Sequence, residues 1–374
     1  MRYLNEFRDP HLAQQLLTRI QREADPRRNY QLLEFCGGHT HAICRHGIAD
    51  VLPENVRLLH GPGCPVCVLP GERLQAAIDL AVGAPLTLCS YGDLLRVPGA
   101  GGDTLFKARA RGADVRMVYA IDDALHLARA QPGRPVVFFA IGFETTAPST
   151  AVALLRAQRE GLGNFSVYCN HVLTPPALRA LLAGADDGAA RIDGFIGPAH
   201  VSTIIGSQPY AFVATEYRRP LVIAGFEPLD VLQAILMLLR QCNAGVARVE
   251  NEYSRVVNPL GNRKAQALLA EVFGTRAHFA WRGLGELPES ALAIRAGFAA
   301  WDAERRFDLS GTAAVAEVGA CQCPAVLRGQ RQPQDCPLFA RACTPDHPLG
   351  ACMVSAEGAC AAHYQYGRAR SVRA

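Results

Sequence analysis

The chain has 374 residues, enough for two or three domains, and its 49% hydrophobic and 19% charged residues form an ordinary globular mixture able to bury a sizeable core. Lys and Arg number 38 against 34 Asp and Glu, and the resulting net charge of +4 excludes a strong field directed at nucleic acid or an anionic membrane. The opening MRYLNEFRDP is too polar for a secretory signal, and the most apolar helix-like stretch, Leu229–Leu239, falls far short of the roughly 20 residues that span a bilayer, so a soluble, cytoplasmic protein is expected.

Residues 7–24 read as an amphipathic helix. Short apolar runs then alternate with helical stretches as far as about residue 240: Gln31–Phe35, Val56–His60, Leu86–Cys89, Val115–Tyr119, Val136–Ile141, Ser166–Cys169, Ile192–Ile196 and Leu221–Ala224. Segments such as Glu72–Val82 and Ala147–Arg159 supply the helical period between them. Alternation of this kind implies parallel sheets with right-handed crossovers. The expected fold is α/β: two parallel-sheet domains facing a cleft, plus a small cysteine-rich domain. Divided at the Pro/Gly-rich stretch Gln131–Pro135, the expected organisation is a helix in 1–30 packing on the C-terminal domain, α/β domains at 31–131 and 132–245, and a helical, cysteine-rich domain at 246–374.

Nearly every strand runs into Gly, Cys, His, Asp or Glu: Cys36-Gly-Gly-His39, Gly61-Pro-Gly-Cys64, Ser90-Tyr-Gly-Asp93, Gly142-Phe-Glu144, Asn170-His171, Gly197-Pro-Ala-His200 and Gly225-Phe-Glu227. Turns explain the glycines. They do not explain the recurrence of Cys, His and Glu at the edge where open α/β sheets bind ligands. Two half-sites facing one cleft are therefore expected.

Thirteen cysteines without a signal peptide point to metal ligation or redox work rather than a disulfide framework. Cys89, Cys169 and Cys242 sit on apolar runs and read as small core residues, with Cys44 leaning the same way. Cys321, Cys323, Cys336, Cys343, Cys352 and Cys360 crowd a tail of little periodicity. A metal-held domain is expected there. Widely spaced single cysteines suit a cubane cluster, with zinc and disulfides as alternatives. Cys64-Pro-Val-Cys67 is either a redox dithiol or half of a metal site. Cys36 is followed by two glycines, which let a ligand approach the backbone, and by His39 and His41. A soft thiolate flanked by imidazoles suits low-valent iron.

CGGHTH at 36–41, HGPGCPVC at 60–67, GFETTAP at 142–148, GPAHVS at 197–202, AGFEPLD at 224–230 and the tail DCPLF…CTPDHPLGACMVSAEGACAA resemble the HypD family of hydrogenase maturation factors, in order and over nearly the whole chain. The resemblance implies a scaffold for assembling the Fe(CN)2CO group of nickel–iron hydrogenases, working with a HypC-type chaperone and a HypE-type cyanide donor. It implies a 4Fe–4S cluster, whose family spacing of fourteen, six and sixteen intervening residues falls on Cys321, Cys336, Cys343 and Cys360. Pro324 stands where the family usually has glycine, which keeps Cys323 in competition with Cys321. By the same resemblance Cys36 binds the iron being decorated, and His39, the imidazole read beside it above, is the second candidate metal ligand. Cys64 and Cys67 form a redox pair, and His200 and Glu357 position ligands or relay protons.

This reading makes the chain a maturation scaffold with internal redox chemistry rather than a conventional turnover enzyme. A cluster-dependent dithiol/disulfide reductase is the competing reading, but such an enzyme has no need of Cys36 and its Gly-Gly-His sequel. A zinc-stabilised binding protein is the third. No Walker-type phosphate loop is present.

Overall fold

The computed structural model describes residues 6–184, 191–309, 315 and 319–371. The strands are β1 (Tyr30–Glu34), β2 (Val56–His60), β3 (Thr87–Ser90), β4 (Asp114–Met117), β5 (Val136–Gly142), β6 (Phe165–His171), β7 (Gly194–Gly197), β8 (Leu221–Ile223) and β9 (Val249–Asn251). They form two wholly parallel sheets, ordered β2-β1-β7-β8-β9 and β4-β3-β5-β6.

Parallel strands covered on both faces read as continuous apolar runs, and β5 is buried at all seven positions. Its side chains still alternate: Val136, Phe138 and Ala140 enter the core under the outer helices, while Val137, Phe139 and Ile141 enter the core shared between the sheets. β1 splits likewise, with Leu33 turned to the shared core and Leu32 to the opposite face.

All eight expected strands form, but they are not shared out as consecutive halves. β3 to β6 make one sheet, and the strands before and after them make the other. The pairing of β1 with β7 decides this. Asp193, just ahead of β7, accepts the Gln31 N–H at 3.0 Å and stands beside Arg28, so the returning chain is pinned to β1. β9, with two polar residues in three, was not expected.

Helix α1 (Pro10–Glu23) begins at Asp9, whose carboxylate accepts the N–H groups of His11 and Leu12, and has proline at its first position. Helix α2 (Gly37–His46) follows β1, and helix α3 (Pro228–Ala244) follows β8. The stripe Leu16, Leu17, Ile20 of α1 packs on α3 and closes the outer face of the first sheet. Ahead of α1, Phe7 meets the region after residue 246, its ring lying 3.9 Å from the Arg255 guanidinium. Helix α4 (Ala359–Ser371) returns the tail to α2.

Residues 246–309 are less helical than expected. After the helix Arg263–Val272, Phe273–Thr275 pairs antiparallel with Leu292–Ile294, and His278–Trp281 with Gly285–Pro288. Glu304 fastens this region to the second sheet: its two oxygens accept from Arg73 and Arg276, and both guanidiniums also donate to the Cys169 carbonyl at the end of β6. Removing the shared carboxylate leaves two partly buried cations facing one another. Glu304→Ala is expected to lower unfolding stability by about 2–4 kcal/mol, with Glu304→Gln in between, as read by urea denaturation.

Candidate functional site

β1 and β2 are neighbours in register, Glu34 opposite His60, so the turns that leave them emerge side by side. Cys36 caps α2 in extended conformation. Gly63 lies directly on it: a Cβ at Gly63 would stand 2.5–2.8 Å from the N, Cα and C atoms of Cys36. The Gly37 N–H donates to the Gly63 carbonyl at 3.2 Å. Cys64 follows at once and is joined to Cys67 in a disulfide, Cα–Cα 5.3 Å. The Cys67 N–H donates to Cys64 Sγ at 3.2 Å, so the pair opens a short helix, Pro65–Val68.

Three further residues converge on Cys36. The N–H groups of Gly38 and His200 both donate to its sulfur, and Glu357 stands close enough to act on it electrostatically. Burial, then Glu357 and more weakly Glu34, push the Cys36 thiol up to about 12, overriding those two hydrogen bonds. The His39 ring is buried beside Phe226, centroids 4.9 Å apart, and the His200 ring lies 4.2 Å from the same ring. His39 Nε2 donates to the carbonyls of Ala224 and Gly225, each at 3.0 Å. That fixes the neutral tautomer and leaves Nδ1 buried with no hydrogen-bond partner. Burial lowers the pKa of both imidazoles.

Two readings change. Gly37 and Gly38 do not hold open space beside Cys36 for a ligand: a Cβ at Gly37 would collide with Glu357, and one at Gly38 would lie 2.5 Å from the Phe226 ring. The glycines admit the tail and the β8 turn instead. His41 does not flank the thiol as a second imidazole. Two residues along the helix from His39, it meets Tyr366, whose ring is 5.2 Å away and whose hydroxyl lies 3.2 Å from Nε2.

Of the tail cysteines, Cys321, Cys323, Cys336, Cys343 and Cys360 line one small cavity with Leu338, Phe339, Gly350 and Met353. Cys321 is partly exposed and the other four are buried. Gly350 is needed here, since a Cβ would meet the sulfurs of Cys321 and Cys323 at 2.9 and 3.1 Å. Thiol hydrogen bonds from Cys321, Cys352 and Cys360 converge on Cys323 and pull its pKa well down, while those three are raised. Cys352 is buried behind this ring and does not line the cavity. Among the described residues, no three His, Cys, Asp or Glu side chains converge as a site for a single metal ion. The helix Pro65–Val68 packs on Ala351–Met353, so disulfide and cysteine cavity share one core. Cys89, Cys169 and Cys242 are buried among apolar neighbours, and Cys44 is buried in α2.

Glu34 and Tyr210 were not singled out from the sequence. Glu34 is fully buried; it accepts from Thr40 Oγ1, from His60 Nδ1 at 2.8 Å and from the Cys36 N–H at 3.1 Å. An acidic residue inside an apolar parallel strand was the signal for it. Tyr210 is buried, and burial, then Glu144 and more weakly Cys36, push its pKa well up. Glu144 is thus what the second sheet contributes. His171, the other expected element of that half-site, is buried against Thr150 Oγ1 at 2.9 Å and Phe273, and burial lowers it to about 4.

The family model for HypD, "Hydrogenase formation hypA family", matches residues 11–367. The chain is 61% identical over 372 residues to the hydrogenase maturation factor HypD of Azotobacter vinelandii, covering 99% of this chain and 98% of that one. It is 59% identical over 373 residues to HypD of Rhizobium leguminosarum bv. viciae, covering 99% and 97%. Escherichia coli K12 HypD is 45% identical over 376 residues, covering 99% and 100%. An α/β scaffold that gathers thiols from the turns of one sheet and from a cysteine-rich tail is compatible with metal binding. The chain belongs to the HypD family of hydrogenase maturation factors, a role that implies partner proteins. No helix among its described residues is long and apolar enough to cross a membrane.

Glu144 gives a pH signature. Its carboxylate accepts the Thr174 N–H at 2.8 Å and hydroxyl at 3.0 Å, yet burial outweighs these and raises it from 4.5 to about 7. The folded state therefore keeps a proton that the unfolded chain releases, and stability falls as pH rises from about 4.5 to about 7. A shift of this size carries on the order of 3 kcal/mol. Glu144→Gln is expected to flatten that decline, gaining on the wild type between pH 5 and pH 8 in urea titrations.

Proposed function

We propose that this protein is the scaffold on which the Fe(CN)2CO group of nickel–iron hydrogenases is assembled. The observation that carries the reading is the meeting of three cysteine sets: Cys36 lies on the Gly63–Cys64 turn, and the Cys64–Cys67 disulfide shares its core with the ring of tail cysteines. In this reading Cys36 holds the iron of the nascent group, which is cargo. The soft thiolate suits iron that cyanide and carbon monoxide keep low-spin. The unpartnered Nδ1 of His39 is the nearby neutral donor, while His200 and Glu357 position the incoming ligands or move protons at the sulfur.

The tail ring fits a 4Fe–4S cluster, because five thiols surround one cavity and such a cluster takes four. Cys321, Cys336, Cys343 and Cys360 are its ligands, with Cys323 the alternative to Cys321. Bound there, a cluster supplies single electrons. Cys64 and Cys67 take up two electrons and two protons when their bond opens, and return them when it closes. The partners are a HypC-type chaperone and a HypE-type cyanide donor. The cytoplasm is the compartment, in keeping with one disulfide among thirteen cysteines. A dithiol reductase would use the same pair but leaves Cys36 without work.

Cys336→Ala and Cys343→Ala are expected to lose iron and acid-labile sulfide and to yield poorly soluble protein, because ligation contributes to folding of the tail. Cys352→Ala should keep both. Iron analysis decides, and equal iron in wild type and Cys343→Ala would end the assignment. Cys36→Ala should keep the cluster absorbance near 400 nm but abolish the infrared cyanide and carbonyl bands of the complex with the HypC-type partner. Bands of wild-type intensity would place the iron elsewhere.

A further inference from the structure

We infer that the wide cationic cleft over Cys321 and Cys323 is the docking site of a small acidic one-electron carrier protein. The inference rests on the cluster reading above. The cleft encloses about 1260 Å³, more than the roughly 300–1,000 Å³ of small-molecule pockets. Cys321 and Cys323 form part of its wall, and Cys321 is the one cysteine of the ring with partial exposure. The thiol ring is thus open toward this cleft, while its other four members are buried.

Among the described residues the charges around the cleft are unbalanced. Arg96, Lys107, Arg282 and Arg328 line it against Glu72 and Asp346. Phe106, 43% exposed, adds apolar contact beside Lys107. A concave positive surface above an electron-accepting centre favours an acidic partner, speeds its arrival and makes the association sensitive to salt. Electron counting asks for the same behaviour. Opening the Cys64–Cys67 bond consumes two electrons and two protons and yields two thiols. A carrier that is oxidised by one electron per encounter must dock twice, so binding has to be brief and readily reversible.

The test uses the full-length, cluster-loaded protein under anaerobic conditions, with a reduced acidic plant-type ferredoxin as the probe. Stopped-flow bleaching near 400 nm reads electron arrival, and fluorescence anisotropy of labelled ferredoxin reads docking. Both should weaken as salt is raised. In the double variant Lys107→Glu, Arg328→Glu, both exposed positions, each should weaken on the order of tenfold. Bleaching by dithionite should be unchanged, which shows that the variant is folded and loaded. Rates and binding equal to wild type, or indifferent to salt, overturn the docking site alone. Protein that shows neither absorbance near 400 nm nor bleaching by dithionite overturns the cluster reading and this inference with it.

Discussion

The contact on which the site depends is the seating of Gly63 on the backbone of Cys36. Adjacent parallel strands in register deliver two turns to the same place, and only a residue without a side chain fits there, since a Cβ at Gly63 would stand 2.5–2.8 Å from the backbone of Cys36. Two hydrogen bonds hold the arrangement, from Gly61 N–H to the Glu34 carbonyl and from Gly37 N–H to the Gly63 carbonyl. The thiol of Cys36 and the Cys64–Cys67 disulfide are therefore fixed by main-chain packing rather than by flexible side chains. Preorganisation of that kind is what a site needs if it must present several reactive groups to one small centre.

Burial dominates the electrostatics of this region. Cys36 is pushed up to about 12 and His39 is lowered, so the thiol keeps its proton and the imidazole stays neutral. Glu357 and Glu34 reinforce the effect on Cys36, opposing a second negative charge. A cation that binds this sulfur has to displace the proton, and it then relieves the repulsion that raised the pKa. The same two carboxylates that disfavour a bare thiolate would favour a thiolate neutralised by metal. Under the proposed function, loading of the Cys36 sulfur with a metal cation is therefore favoured by charge.

The sequence carried the strands because parallel strands buried on both faces leave dense apolar runs such as Val136–Gly142. It did not carry their pairing. β1 joins β7 through Asp193, more than a hundred residues away from Gln31, and no local period encodes that contact. Three-residue β9 and the small antiparallel pairs after Val272 were illegible for the opposite reason: they are too short to show a period. Cys36, Cys64, Cys67, His200 and Glu357 were legible as motifs, and the fold draws them into one neighbourhood. The glycines after Cys36 misled because a sequence shows that space is left, not what fills it. Glu357 and Phe226 fill it.

That filling ties the two ends of the chain together. Glu357 rests on Gly37, and three residues later Cys360 lines the thiol cavity at the start of α4. Between them Gly358 lies against the Cys352 carbonyl group so closely that a side chain there would force the turn open. One tight turn therefore carries both the largest neighbouring charge on Cys36 and a wall of the cysteine cavity. Protein interiors are too densely packed for one end of such a turn to move without the other. Whatever binds in the cavity bears on Cys360, and through it on the carboxylate that helps to keep Cys36 protonated. The thiol cavity and the Cys36 turn are thus joined by one short, tightly packed turn, although their residues lie at opposite ends of the sequence.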